Sequence, residues 1–507
     1  RESQPKLKGT EAEFFGEQAQ KQEHPAQKIA DQKKVDQAIV AAVAKVPFLA
    51  SYLASSFSLS KGEAPHKLNE TISEQVKSPV AVYCGVDPTA SSLHLGNMVT
   101  LMGLLHFHLA GHQVLPLVGN ATGAIGDPSG RSTERVALEQ DVLAKNIAGI
   151  ELQLKRFFER GTAYAQSRIP DLDPNVLRPV RVLHNADWYQ GLGVLQFLGS
   201  VGRHVRIGAM MARDSVKSRL QSPQGISFTE FSYQLLQAYD FWYLYHHHGC
   251  RIQLGGSDQW GNITAGTDLI RRLPGPQSTS AGDQDSQSIG EAFGLTIPLL
   301  TTASGEKFGK SAGNAVWLDE TRTSPFDIYQ FFVKTSDADV ERFLKMFTLL
   351  SLPKIAQVVK DHSQAPHHFL AQKLLAAEVT QLIHGQAGLN QALCATEVLF
   401  GNRKSLESQQ FTSQDFANAF LGDHRLVSIP RSHVLGKPIS EIAVLLGSCK
   451  SKSEATRLAR SGGLYWNNQP IADSKWVPSI ESGDFIGENT IGIVRTGKTN
   501  YRLLQIL

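Results

Sequence analysis

The sequence predicts an α/β protein, with a doubly wound parallel sheet followed by an α-helical region and a small α+β module. Three observations carry this. Short apolar runs at residues 80–85, 113–119, 180–184 and 251–256 are separated by helix-like segments, and three of them end in glycine. Strand–turn–helix alternation of this kind builds parallel, Rossmann-like sheets. After Ser324-Pro325, a capping serine ahead of a proline suited to a first helical turn, the pattern stays helical to about Phe400. From Arg425 to Arg502, eleven lysines and arginines then stand against six acids, a locally basic end.

Taken in order, residues 1–45 read as an N-terminal helical extension. Residues 1–37 carry seven basic and seven acidic side chains, whereas a mitochondrial transit peptide is poor in acids. The stretches 11–23 and 27–45 have helical patterning, the second turning apolar from Ile39 to Val43. The chain starts at Arg1 rather than methionine, which predicts a processed form. Residues 46–322 form the sheet domain. Gly85, Gly119 and Gly256 fall at the carboxyl ends of its strands, where ligands of such sheets bind. Residues 274–290 are a polar low-complexity loop with few apolar side chains to order it. Residues 323–405 are the helical domain, 406–424 a linker, and 425–507 the basic module.

At 507 residues the chain can bury several cores, and its net charge of +3 sets up no general basic field. Cys84, Cys250, Cys394 and Cys449 lie far apart without a C-x-x-C pair. That argues against a zinc site and a disulfide framework and predicts a reducing compartment. No metal-ligand set is expected. His246-His247-His248 has no acid or cysteine at ligand spacing, and the aromatic run from Phe241 to Tyr245 reads as core or subunit contact. No apolar run approaches the roughly 18 residues of a membrane span.

Two motifs carry chemistry. Residues 83–89, Tyr83-Cys84-Gly85-Val86-Asp87-Pro88-Thr89, run on into His94-Leu95-Gly96-Asn97; far downstream comes Lys307-Phe308-Gly309-Lys310-Ser311. A histidine opening a helix adds a donor where the N-terminus already favours phosphate. Two lysines around a glycine make a cationic clamp, and phosphoryl chemistry needs mostly positioning and charge neutralisation. Alone, His94 could equally be a surface histidine and the lysine run a solvated loop. Together, in this order, they resemble the HIGH and KMSKS signatures of class I aminoacyl-tRNA synthetases. A nucleotidylyltransferase of cofactor biosynthesis shares the first motif but is much shorter and lacks an RNA module.

The intervening segments narrow the resemblance. Residues 117–130 form a glycine-rich turn presenting Asp127, and residues 227–240 read as a helix with Tyr233, Gln237 and Asp240 at i, i+4 and i+7 on one face. Residues 255–262, Gly-Gly-Ser-Asp-Gln-Trp-Gly-Asn, end a strand with an acid and an amide. From about Val80 to its end the chain resembles a bacterial-type tyrosyl-tRNA synthetase. That resemblance implies an ATP-dependent tyrosine–tRNA ligase with Mg2+ accompanying ATP. It puts Tyr83 and Asp240 on the tyrosine hydroxyl, Asp127, Tyr233 and Gln237 on the ammonium, and Gln259 near the carboxyl. ATP would meet Cys84, Asp87, Gly96, Asn97, Gly256 and Asp258, with Thr89, His94, Lys307 and Lys310 at the phosphates. Asn97 replaces the last histidine of HIGH and keeps a hydrogen-bonding side chain; Phe308-Gly309 replaces Met-Ser.

In the basic module, a helix capped by Ser451 or Ser453 sets Lys450, Lys452, Arg457 and Arg460 in one region. This resembles a small RNA-binding fold shared with a ribosomal small-subunit protein and implies contact with tRNA(Tyr) phosphates. The family resemblance further implies a homodimer, with an interface within residues 135–230. The N-terminal extension and the 274–290 loop resemble filamentous-fungal mitochondrial members, some of which also stabilise self-splicing introns. A group I intron RNA is therefore a second expected partner, and the mitochondrial matrix the expected location, with bacterial cytoplasm as the alternative.

Overall fold

The computed structural model describes residues 79–507 except 131–132, 134–137, 276–291, 302–314, 402–410, 422–424 and 498–499. The N-terminal extension, the 274–290 loop from residue 276 onward, and Lys307 and Lys310 lie outside the described residues.

Five parallel strands form the first sheet, in the order β3-β2-β1-β4-β5. They are β1 (Ala81–Val86), β2 (Gln113–Val118), β3 (Leu183–His184), β4 (Cys250–Gly256) and β5 (Phe293–Ile297). The crossovers run through α1 (Leu95–Leu109), α2 (Gln140–Arg168), α3 (Phe228–His248) and α4 (Trp260–Arg272). Short helices from Ala186–Tyr189 to Asp214–Leu220 lie between β3 and α3. Strand periodicity divides β1 between two layers. Val82 and Cys84 join the core of α1 and α2, whereas Ala81 and Tyr83 join that of α3 and α4. A doubly wound sheet needs this two-sided burial.

Two strand readings differ from the sequence. The strand read at 180–184 shortens to the two residues of β3. β5, unread because Gly294 interrupts its apolar run, pairs with β4 from Phe293 to Ile297. A Cβ on Gly294 would stand 2.3 Å from Ile263 Cγ2, so the glycine lets α4 lie close to the sheet.

Next come α5 (Pro325–Val333), α6 (Asp337–Phe347), α7 (Leu352–Gln364) and α8 (Leu370–Phe400), the last kinked where Gly385 takes φ 71°. Ile328, Phe332, Phe347, Leu375 and Leu382 belong to the same hydrophobic cluster as α1 and α2. After α9 (Ser413–Ala419) the end of the chain forms a second sheet, ordered β6-β10-β9-β7-β8. Its strands are β6 (Leu426–Ile429), β7 (Leu464–Trp466), β8 (Gln469–Pro470), β9 (Ile491–Thr496) and β10 (Asn500–Ile506). The helices α10 (Ile439–Leu445) and α11 (Lys452–Arg460) help to form the cluster on one face, with Leu464, Trp466 and Val494. On the other face Ile493, Tyr501 and Leu503 pack against Cys394 and Val398 of α8. Tyr501 Oη donates to the Leu399 carbonyl at 2.5 Å.

Candidate active site

The carboxyl ends of β1, β2 and β4 deliver most of the residues singled out from the sequence. α3 starts at Ser227, whose Oγ accepts from the Glu230 amide at 3.2 Å. Just ahead, the fully buried Arg219 grips Glu230 with two bonds of 2.9 and 2.8 Å, fixing how the chain approaches the helix. The helix then carries Tyr233, Gln237 and Asp240, and its Ala238 and Phe241 join the cluster that holds Tyr83.

Asp240 is 3% exposed and accepts three hydrogen bonds: from Trp188 Nε1 at 2.8 Å, Tyr189 Oη at 3.1 Å and Asn185 Nδ2 at 3.1 Å. Burial raises its carboxyl to about 7 from an ordinary 3.8, against the pull of those donors. Tyr83 is buried beside it, its ring centroid 5.3 Å from that of Phe241, and its phenol is pushed up by burial and by the Asp240 charge. Among the described residues neither Tyr83 Oη nor Gln237 Oε1 has a hydrogen-bond partner, although both atoms are buried. Both atoms are therefore available to a polar ligand.

Two further acids, Asp87 and Asp127, lie close to Tyr233. Asp127 accepts from Gln259 Nε2 at 2.7 Å, from the Ser129 amide at 3.0 Å and from Asn262 Nδ2 at 3.3 Å. Tyr233 Oη donates to Asp87 Oδ2 at 2.7 Å. Its phenol is raised by burial first, then by Asp87, Asp127 and Asp240, so three carboxylates surround this ring. Sequence reading put Asp87 with ATP and Tyr233 with the amino acid; the hydrogen bond joins the two groups.

His94 caps α1. Its Nδ1 accepts from the Gly96 amide at 3.0 Å, and Asn97 Oδ1 reaches back to the His94 amide at 3.1 Å. This reciprocal capping box gives the substituted Asn97 a structural task. Gly96 therefore lies in the first turn of a 15-residue helix with no acid in that turn, a setting that favours an anion. Thr89 is half-buried in the turn before it, and its amide donates to the Asp87 carbonyl at 2.8 Å. Burial pushes the Cys84 thiol to about 11, with the Thr100 hydroxyl pulling the other way. Gly256 ends β4, and Asp258 occupies the short turn Ser257–Gln259 that follows.

The basic residues of the end module are elsewhere. Lys450, Lys452, Arg457 and Arg460 are all exposed. Ser451, not Ser453, caps α11 by accepting from the Glu454 amide at 3.2 Å. Lys452 is paired with Glu441 at 2.8 Å.

Sequence reading missed Asn185, Trp188 and Tyr189, the three donors to Asp240. Their signal was available: an amide, an indole and a phenol directly past the carboxyl end of a predicted strand. Thr122 and Asn262 lie within the segments 117–130 and 255–262 but were not singled out there, because their partners are distant in sequence. Among the described residues no three His, Cys, Asp or Glu side chains group to hold a metal, and no helix is long and apolar enough to cross a membrane.

Comparison with known proteins adds three kinds of match. The family described as tRNA synthetases class I (W and Y) matches residues 74–401, and the family described as ribosomal protein L6e matches residues 1–69. A mitochondrial tyrosine–tRNA ligase of Drosophila melanogaster is 42% identical over 428 residues, covering 84% of this chain and 87% of its own. A tyrosine–tRNA ligase of Cytophaga hutchinsonii is also 42% identical, over 434 residues, covering 85% and 94%. Among solved structures, a C-terminally truncated mitochondrial tyrosyl-tRNA synthetase of Aspergillus nidulans is 33% identical with a TM-score of 0.59. It covers 71% of this chain and 98% of its own.

Proposed function

The chain belongs to the class I tRNA synthetases of the tryptophan and tyrosine group, and from that premise we propose the residue roles by which it works as a tyrosine–tRNA ligase. The ligase activity follows from relatives such as those of Drosophila and Cytophaga, matched over most of both chains. Its reaction has two steps. The tyrosine carboxylate attacks the ATP α-phosphate, giving tyrosyl-adenylate and releasing pyrophosphate; the tyrosyl group then passes to the terminal ribose of tRNA(Tyr).

One observation carries the choice of amino acid: a buried carboxylate, Asp240, beside a buried phenol, Tyr83, that has no partner among the described residues. A substrate hydroxyl placed between them donates to Asp240 and accepts from Tyr83. Phenylalanine would leave Tyr83 Oη unpaired and offer Asp240 no donor, and tyrosyl-tRNA synthetases are themselves the known case of such rejection, at about 10⁵. Asp127 and Gln237 receive the ammonium, and Gln259, held by Asp127, faces the carboxyl. Tyr233 orients Asp87. Phosphates meet the His94 end of α1, with Thr89 beside it and Lys307 and Lys310 contributing charge. Asp258, Cys84 and the Gly256 main chain lie toward the ribose. Magnesium would arrive on the ATP phosphates.

The exposed face of α11 serves tRNA backbone. A homodimer is supported by apolar side chains left in water within residues 135–230: Val194 at 73%, Leu195 at 86%, Ile207 at 70% and Phe228 at 76% exposed. A mitochondrial location is supported by mitochondrial relatives such as those of fly and yeast. A second, additional role in binding a group I intron RNA rests only on the resemblance of the N-terminal extension and the 274–290 loop to filamentous-fungal mitochondrial members. Pyrophosphate exchange measured with each of the twenty amino acids tests the main reading. Exchange driven by any amino acid other than tyrosine as well as by tyrosine itself would overturn it.

A further inference from the structure

We propose that Gln153 of α2 is a positioning residue for adenylate formation, acting through the segment that presents His94. Residues 88–93 lead to His94 as bends and irregular chain, with no ladder of their own. The α2 helix supplies the support instead. Gln153 Oε1 accepts from the Leu93 amide at 2.8 Å and from Ser92 Oγ at 3.1 Å, and its Nε2 donates to the Ser91 carbonyl at 3.2 Å. One side-chain amide therefore grips three consecutive residues immediately before His94.

Two other residues on the same face of α2 complete the cradle. Asn146 Nδ2, seven residues earlier, donates to the Pro88 carbonyl at 3.0 Å. Between them a Cβ on Gly149 would stand 2.4 Å from the Ser91 carbonyl oxygen, so the segment lies directly against bare helix backbone. The spacing 146, 149 and 153 follows i, i+3 and i+7, one side of a helix. The adjoining stripe of the same helix is locked into the core through Ile150, Leu154 and Phe157, each no more than 4% exposed.

The grip extends to the chain that follows the lysine motif. Ser92 Oγ accepts from the Asp319 amide at 3.3 Å, Leu93 O accepts from the Leu318 amide at 2.9 Å, and the Leu95 amide donates to Val316 O at 3.0 Å. Residues 316–319 are thus stitched to residues 92–95, with the Trp317 ring edge-on to His94 at 6.0 Å. Gln153 holds both strands of this junction through Ser92 and Leu93. Neither Asp240 nor Tyr83 touches it, so loss of Gln153 should affect ATP chemistry and leave tyrosine recognition alone.

This inference rests on the ligase reading above, and the experiment separates the two. Full-length wild type, Gln153→Ala, Gln153→Glu and Gly149→Ala are compared in tyrosine-dependent pyrophosphate exchange, in equilibrium tyrosine binding without ATP, and in thermal unfolding. Displacing a reacting group by about an ångström costs roughly 10²-fold in rate. Gln153→Ala should lose kcat on that scale while binding tyrosine as wild type does. Gln153→Glu keeps the acceptor for Leu93 and Ser92 but loses the donor to Ser91, so it should recover part of the rate. Gly149→Ala alters no hydrogen-bonding side chain and should also lower kcat. Wild-type kcat in a folded Gln153→Ala, equal defects in Gln153→Ala and Gln153→Glu, or tyrosine binding lost in step with kcat would each overturn the positioning role. Wild type that exchanges with no dependence on tyrosine would instead sink the ligase reading.

Discussion

Asp87 and Asp240 are joined by an unbroken line of hydrogen bonds. Thr122 Oγ1 donates to Asp87 Oδ1 at 2.7 Å; Asn185 Nδ2 donates to Thr122 Oγ1 at 3.0 Å and to Asp240 Oδ2 at 3.1 Å. Tyr233 closes one end, and Trp188 and Tyr189 the other. One fully buried amide, Asn185, thus serves Asp240 directly and Asp87 through Thr122. A network satisfied this way fixes side chains in place, and breaking it strands several groups together.

Asn185→Ala should therefore do double damage. It removes the donor to Thr122 and Asp240 and the acceptor for the Ala121 amide. Stranding buried partners costs about 1–3 kcal/mol each. Denaturant unfolding should show lower stability, and exchange assays with tyrosine and phenylalanine should show weaker discrimination. Unchanged discrimination would mean that Asp240 needs no help from Asn185.

Asp240 predicts a pH dependence. Its carboxyl, ordinarily near 3.8, titrates at about 7 in the fold. Between those values the folded chain keeps a proton that the unfolded chain has released. Stability should fall as pH rises across that window, by roughly 4 kcal/mol in total, and level off above it. Tyrosine affinity should move the other way, improving as pH rises through about 7, because the ionised form is the better acceptor for a phenol. Asp240→Asn should flatten both profiles. A wild-type tyrosine affinity that ignores pH from about 6 to 8 would detach Asp240 from the hydroxyl.

Gly119→Ala should weaken the same network from its backbone side. A Cβ there would lie 2.2 Å from Asp87 Oδ1 and 2.4 Å from Thr122 Oγ1. One of them must move, so the cost should be about 1–3 kcal/mol, as for other overpacked sites. Calorimetry reads the stability loss, and a lower exchange rate reads the displaced Asp87.

For RNA, charge reversal is a cleaner test than truncation. Cutting the chain before Arg425 would bare Cys394, Ala395 and Val398, which the second sheet covers. Arg457→Glu with Arg460→Glu, both exposed on α11, should leave pyrophosphate exchange intact and weaken tRNA binding. The salt dependence should drop by about one unit of slope for each phosphate that α11 no longer neutralises. Equal tRNA affinity in the double variant would remove α11 from the interface.

Much of this was legible in the sequence, and the failures have physical causes. β1, β2 and β4 announce themselves because apolar alternation runs straight into a glycine. β5 is hidden because Gly294 serves the packing of α4 rather than the strand. The i, i+4, i+7 spacing was enough to place Tyr233, Gln237 and Asp240 on one helix. It could not reveal that Tyr233 bonds to Asp87, 146 residues away, nor that a short helix and its N-cap residue supply three donors to Asp240. Pairings between side chains distant in sequence leave no periodic trace. The sequence shows that Asn97 keeps a hydrogen-bonding side chain; that its amide oxygen completes the cap on α1 shows only in the fold.

The hydrophobic cluster that runs from β1 through α1 and α2 into α5–α8 bears on how the chain melts. Parts that share one continuous interior cannot lose it separately, so the first sheet and the helices behind it should disappear in a single cooperative transition. The second sheet has a cluster of its own beneath α10 and α11 and leans on α8 with only its other face. Heat should thus meet two units where the order of segments along the chain suggests three.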